Sequence, residues 1–320
     1  MDLTGKRILM IGGAGLIGSH TLDQLLAEDV REIIIYDTFT RGTMANIAGA
    51  LEDPRVRLFE AGGDITQTDI LAAAMDGVDG VFHFAALWLL QCYDYPRAAF
   101  DVNIAGTFNV MEACVKAGVK RLVYSSSASV YGDAAYDPMD EEHPFNNQNF
   151  YGATKICGEA MLRAFHHRYG LDYVGLRYMN VYGPRQDYKG AYIAVMMKML
   201  DAIDRGEGPT VIGSGAEEFD FVAVEDCARA NICAMKAAAT DRFYNVGTGK
   251  RTSLKTLAEK LVTLTGSEQP VQYRPATHKG LVKSRVGAVE RARDELGFEA
   301  RIDLEDGLER LIRWRNSQKA

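Results

Sequence analysis

The first forty residues leave few folds open to this chain. Arg7 to Ile11 (RILMI) is a short apolar run that reads as a buried strand, and Gly12-Gly13-Ala14-Gly15-Leu16-Ile17-Gly18 follows at once. A helical stretch then runs to about Glu28, and Glu32 to Tyr36 (EIIIY) is a second buried strand ending in Asp37. Strand, glycine turn, helix, strand and terminal carboxylate together form the βαβ pattern of a dinucleotide site. Gly12 permits the tight turn, Gly15 lets the backbone approach a pyrophosphate, and Gly18 lets the helix pack close to the strand. The helix start at Leu16 and Ile17 meets the phosphates with free N–H groups and a partial positive charge. Asp37 is placed to accept hydrogen bonds from the adenosine ribose. Its charge repels a 2′-phosphate, which favours NAD over NADP, although Arg41 nearby weighs the other way. The competing reading is a glycine turn without a ligand, and the flanking strands and Asp37 count against it.

The strand–helix alternation continues, as in a doubly wound α/β protein. Val56 to Ala61 is a third strand, followed by Gly62-Gly63-Asp64-Ile65-Thr66. Asp64, with Ile65 beside it, is placed to meet the adenine; a helix N-cap is the alternative. Gly80 to Ala85 is a fourth strand, where Ala85 and Ala86 leave room for the cofactor and His83 reads as a core histidine. Tyr95 to Lys116 reads as one long helix with Phe100, Ile104, Phe108, Met111 and Val115 on a single stripe, as core or subunit interface. Asn103 lies off that stripe and is placed to hold active-site water or a catalytic lysine. Arg121 to Tyr124 is a fifth strand running into Ser125-Ser126-Ser127-Ala128-Ser129-Val130-Tyr131-Gly132. Hydroxyls at a strand's carboxyl end belong at the crevice where open α/β sheets bind ligands. Plain turns also use serine runs, so the reading depends on what comes next.

Some two dozen residues on stands Tyr151-Gly-Ala-Thr-Lys155. Tyrosine and lysine four apart share one face of a helix. A free phenol titrates near 10, about three units too high for a good base at neutral pH. A neighbouring ammonium lowers it, and an oxidised nicotinamide ring adds more positive charge. The pair is therefore a candidate proton shuttle for hydride chemistry at a hydroxyl. Such spacing also marks ordinary solvated helix faces, and it gains weight from the glycine turn and the serines.

Composition removes other classes. The chain has 320 residues, 47% hydrophobic and 25% charged, which fits one large α/β domain or such a domain with a smaller annex. A net charge of -7 argues against a nucleic-acid protein. The five cysteines are scattered without ligand spacing, His166 and His167 are adjacent and diverge on a helix, and no metal is expected. The start MDLTGKR lacks the apolar core of a signal peptide, and the apolar run Val81 to Leu90 is half a bilayer span. A soluble, cytoplasmic protein without membrane or nucleic-acid partners is expected.

These motifs carry a resemblance. GGAGLIG at Gly12–Gly18, Asp37, Asp64, HFAA at His83–Ala86, Asn103-x-x-Gly106-Thr107, SSSASVYG and YGATK are similar to the extended short-chain dehydrogenase/reductase family. The nearest group within it is the NAD-dependent nucleotide-sugar epimerases and dehydratases, of the UDP-glucose 4-epimerase kind. The likeness continues through RYMNVYGPRQ at Arg177–Gln186, FDFVAVED at Phe219–Asp226, YNVGTG at Tyr244–Gly249 and ELGF at Glu295–Phe298, so it covers almost the whole chain in order. It implies a seven-stranded doubly wound NAD domain over residues 1–178, to which the chain returns around 215–250. A smaller, discontinuous substrate domain would take most of 179–320, with a homodimer joined through the helices of Asn103 and Tyr151. By the family's pattern Tyr151 is the base, Lys155 also binds the nicotinamide ribose, and Ser127 binds the reacting hydroxyl. Ser125 and Tyr178 belong to the cofactor site, and Asn180 and Arg274 to the substrate.

Departures narrow the reading. Dehydratases of the group carry Thr-Asp-Glu where this chain has Ser127-Ala128-Ser129, which removes the acid and base of water elimination. Net epimerisation at C4 of a nucleotide sugar remains the first expectation, and a sugar or sugar-acid dehydrogenase or reductase with exchangeable NAD the second. A dinucleotide-binding regulator without turnover is a third, against which the retention of Ser127, Tyr151 and Lys155 together speaks. The arginine usual before Asp220-Phe221 is Phe219, preceded by Glu217 and Glu218, whose charges would repel a diphosphate. Arg274, Lys279, Lys283 and Arg285 are candidates to rebuild an anion site, or else a solvated basic loop. Asp303 reads as the cap of a last helix packed through Leu304, Leu308, Leu311 and Ile312, with Trp314 as packing.

Overall fold

A computed structural model describes residues 1–187, 194–275 and 282–319. Its strands are β1 (Arg7–Ile11), β2 (Glu32–Tyr36), β3 (Val56–Leu58), β4 (Gly80–His83), β5 (Arg121–Ser127), β6 (Tyr173–Tyr178), β7 (Asn180–Tyr182), β8 (Thr210–Ile212), β9 (Glu218–Phe219), β10 (Phe221–Ala223), β11 (Arg242–Val246), β12 (Thr252–Ser253), β13 (Gln272–Arg274) and β14 (Ser284–Arg285). Seven of them form one parallel sheet in the order β11-β6-β5-β4-β1-β2-β3. Helices cover both faces, so these strands are apolar throughout instead of alternating with polar residues. Ile8, Met10, Ile33 and Ile35 enter the core on one face, while Leu9, Ile11, Ile34 and Tyr36 enter the core on the other. This period of two fixes the register, because a one-residue slip would exchange the two faces. The expected doubly wound sheet is present.

Element ends and one helix differ from the sequence reading. β3 stops at Leu58 and β4 at His83, whereas β5 runs on to Ser127. The expected helix 95–116 is Pro96–Ala99, a wide π-type turn Phe100–Gly106, and Thr107–Ala117. Gly106 fits because a Cβ there would come within 2.6 Å of Ile65 Cγ1. The apolar stripe is also divided: Met111 is buried, but Phe100 and Phe108 remain 43% and 42% exposed.

Beyond β6 the chain builds smaller sheets, β7 with β10, β8 with β13, and β12-β9-β14, before and after β11 completes the large sheet. A third core cluster belongs to this region and joins Met196, Met197 and Leu200 to Leu257, Leu261, Leu308 and Leu311. The last helix, Leu304–Ser317, begins as expected, with Asp303 Oδ1 accepting the Asp306 N–H at 3.0 Å.

Candidate active site

Strand order reverses between β4 and β1, so the loops leaving their carboxyl ends diverge and open a crevice. Gly12 lies there at φ +79°, and a Cβ on it would come within 2.7 Å of the Ala85 nitrogen. A Cβ on Gly18 would come within 2.3 Å of the Gly12 oxygen, so the helix Leu16–Leu25 can approach β1 only with glycine at this point. Gly15 is different. The one atom near its notional Cβ is Gly12 O at 3.4 Å, which leaves the helix start open to a close-lying ligand. The crevice leads into a cavity of about 1010 Å³ whose walls include Gly12, Gly15, Leu16, Ile17, Ala86, Ser125, Ser127, Tyr151, Lys155, Tyr178 and Asn180.

The alternation of β5 sorts the serines. Ser126 points into the protein and donates to Glu159 Oε1 at 2.5 Å; Glu159 is itself ion-paired with buried Arg177 at 2.7 Å. Ser125 and Ser127 therefore take the other face. Ser127 Oγ accepts the Ser129 N–H at 3.1 Å, closing the turn that ends the strand. Ser125 offers its carbonyl to Lys155 Nζ at 2.8 Å, and its hydroxyl lies 3.4 Å from Tyr178 Oη. Tyr178 is held in turn by Asn231 at 2.8 Å.

Tyr151 and Lys155 stand one turn apart on the helix Phe150–Tyr169, whose Asn149 cap accepts the Gly152 N–H at 2.8 Å. Lys155 Nζ lies 5.7 Å from the centre of the Tyr151 ring and 5.2 Å from that of Tyr124. Burial dominates both groups. It pushes the Tyr151 phenol up to about 12, against the opposing influence of the Ser127 hydroxyl and the charges of Arg285 and Arg41. The same burial brings the Lys155 ammonium down to about 8. Desolvation thus prevails over the expected lowering of the phenol, and the charges that oppose it are those of Arg285 and Arg41.

Other residues singled out from the sequence lie outside the cavity wall. Asp37 braces the glycine loop: its Oδ2 accepts the Ala14 N–H at 2.9 Å and its Oδ1 that of Phe39 at 2.8 Å. Each oxygen keeps a lone pair for a ribose hydroxyl. Asp64 takes the Thr66 N–H and hydroxyl at 2.9 and 2.8 Å in a tight turn, and the next helix begins only at Thr68, so it is not a helix cap. Ile65 is buried beneath Gly106, and Ala85 presses its backbone on Gly12. Asn103 binds the backbone N–H and carbonyl of Leu87 at 2.7 and 3.0 Å and the Thr154 hydroxyl at 3.2 Å. It fixes the residue before Lys155 and does not hold the lysine. His83 is a core histidine, bonded to Thr107 at 3.0 Å, and burial brings it down to about 3.

On the substrate side, Asn180 lines the cavity and donates through its N–H and Nδ2 to the Asp220 carbonyl at 2.9 and 3.2 Å. Arg274 does not line it. It is exposed on β13, which pairs with β8. Glu217 and Glu218 also stand off the wall; Glu218 meets Arg251 at 3.4 Å, and Phe219 packs near Phe221. Residues Ala276 to Lys279 of the basic segment lie outside the described residues. The sequence reading missed the wall residues Trp88, Arg185 and Asp187, whose placement depends on tertiary contacts; Trp314, read as packing, lines the wall as well. Among the described residues no group of acidic, histidine or cysteine side chains could hold a metal, and no helix is long and apolar enough to cross a membrane.

Residues 8–247 match the model of the NAD dependent epimerase/dehydratase family. A putative UDP-glucose 4-epimerase from Methanocaldococcus jannaschii is 34% identical, covering 96% of this chain and 97% of its own. The structure of a UDP-N-acetylglucosamine 4-epimerase from Methanobrevibacter ruminantium, in complex with UDP-N-acetylmuramic acid, superposes with a TM-score of 0.92 at 32% identity, over 98% of this chain and 99% of that one. That of a UDP-glucose 4-epimerase from Thermotoga maritima with UDP-glucose gives 0.90 at 30% identity, over 98% and 100%.

Proposed function

The chain belongs to the NAD-dependent epimerase/dehydratase family, and on that premise we propose that it inverts C4 of a nucleotide sugar through a transient 4-keto sugar. The observation that carries this reading is the meeting of Ser127, Tyr151 and Lys155 with the open glycine turn in one cavity. NAD, the family's cofactor, fits the residues: the bare face of Gly15 and the helix start at Leu16 and Ile17 suit its pyrophosphate, and Asp37 its adenosine ribose. When bound, NAD would supply the acceptor and donor of the C4 hydride. Tyr151 takes the C4 hydroxyl proton and later gives it back, while the Ser127 hydroxyl orients the reacting oxygen. With the phenol at about 12, releasing its proton at pH 7 costs about 7 kcal/mol, so the neighbouring positive charges decide whether it works as a base. Lys155 is still about ten-to-one protonated at pH 7 and supplies one such charge.

Asn180 would meet the substrate, and Ser125 and Tyr178, which line the same cavity, would hold the nicotinamide end. The division into a cofactor domain over 1–178, rejoined around 215–250, and a substrate region over most of 179–320 fits this arrangement. A homodimer fits as well, since Phe100 and Phe108 offer exposed apolar surface beside the Tyr151 helix. Tyr151→Phe tests the reading. It removes one hydroxyl and should lower turnover at least a hundredfold while leaving NAD affinity in place. Turnover equal to that of the parent protein would remove Tyr151 from the mechanism.

A further inference from the structure

We propose that Arg285 is the oxyanion-binding arginine of the substrate half of this cavity, a specificity-determining residue that receives a phosphate or carboxylate of the substrate. This rests on the nucleotide-sugar reading and says where that substrate's negative charge is held.

β14 pairs with β9 in parallel, with Arg285 opposite Phe219, so the two side chains leave the same face one strand apart. Phe219 stands where the sequence pattern expects an arginine and is turned into the third core cluster. Arg285 brings a guanidinium to that face from the neighbouring strand, and it does line the cavity. The group is deeply placed yet uncommitted. Its Nε is buried and has no hydrogen-bond partner among the described residues. Burial brings its pKa down to about 10, with Asp133 and Tyr151 as the opposing influences. Asp133 is already engaged, accepting the Lys283 N–H at 3.0 Å.

The other arginines of the wall differ in this respect. Arg41 is ion-paired with Asp187 at 3.1 Å, and Arg185 with Asp23 at 2.8 Å. A desolvated cation with an unused donor is costly to keep unless something of opposite charge completes it. The planar fork of guanidinium fits a group with two oxygens, which a sugar hydroxyl does not provide. Two parts of a nucleotide sugar meet that description: the diphosphate, and a carboxylate carried by a uronic-acid ring. Their chemistry toward Arg285 is the same.

Calorimetric titration of the NAD-loaded protein separates them, using UDP, UDP-glucose and UDP-glucuronic acid on the parent chain, Arg285→Ala and Arg285→Lys. Arg285→Gln serves as a second neutral variant that keeps the stem packing. The neutral variants should bind about tenfold to a hundredfold more weakly, with lysine restoring only part of the loss. An equal loss for all three ligands assigns Arg285 to the diphosphate, and a loss confined to UDP-glucuronic acid assigns it to the carboxylate. Undiminished affinity in both neutral variants overturns the proposal and leaves the epimerase reading standing. Failure of the parent chain to bind any of the three, or GDP- and dTDP-glucose titrated in the same way, overturns both.

Discussion

Replacing Lys155 by methionine should make the free protein more stable at neutral pH while removing its activity. The ammonium is almost wholly buried, and its pKa falls from 10.5 to about 8. At 1.36 kcal/mol per unit, holding it protonated in the fold costs about 3 kcal/mol. Methionine has a similar length and no charge, but it leaves the Ser125 carbonyl without the 2.8 Å bond from Nζ, a loss of about 1 kcal/mol. The expected net gain is about 2 kcal/mol, or about 3 °C in Tm for a chain of this size. The sign follows from proton linkage. Below pH 8 native and unfolded chains both carry the protonated lysine, and the full penalty is present. Between pH 8 and 10.5 the unfolded chain binds more protons than the native one, so the parent protein gains stability as pH rises. The advantage of Lys155→Met should therefore be widest at pH 7 and disappear by about pH 10.5. Thermal melts of both cofactor-free proteins across that range test this. A variant less stable than the parent at pH 7, or a difference that does not change with pH, would refute the desolvation argument.

Three further outcomes are expected. Asp37→Ala should weaken NAD by about tenfold to a hundredfold and raise the relative use of NADP, measured by titrating both cofactors; an unchanged ratio would count against its ribose role. Arg177→Met leaves Glu159 buried without its partner at 2.7 Å and should cost about 3 to 5 kcal/mol in chemical denaturation. A loss below 1 kcal/mol would mean that the pair contributes little. Phe108→Asp places a charge on the exposed apolar face and should shift the sedimenting species from two chains to one; a parent protein that is already a monomer would exclude the dimer.

Much of the fold was legible because its signals are local. The glycine turn, the apolar strands and the Asp303 cap follow from conformational freedom, periodicity and hydrogen-bond need within a few residues. The choice of Ser127 rested on the family pattern; the alternation that separates Ser126 from Ser125 and Ser127 was not readable, because the strand was expected to end at Tyr124 and runs on to Ser127. Side chains whose direction is set by distant partners were not. Asn103 looked ready to hold a lysine, but it satisfies the Leu87 backbone instead. Glu217 and Glu218 looked like a charge conflict, yet Glu218 meets Arg251 and Glu217 approaches Gly213, and neither is part of the cavity wall. Arg274 and Arg285 sat together in one basic stretch, and only strand pairing separates an exposed edge residue from one in the cavity wall. The phenol's pKa was misjudged for a related reason: the sequence showed the nearby lysine but not the depth of burial.

In the proposed reaction hydride leaves one sugar carbon and returns to it. The direct measurement combines purified protein and NAD with UDP-, GDP- and dTDP-linked sugars and free sugars, following proton NMR of the sugar and reduced-nicotinamide absorbance together. A new C4 epimer without accumulating NADH is the predicted result. Stoichiometric NADH with an oxidised sugar would contradict it, and so would no change in any nucleotide sugar.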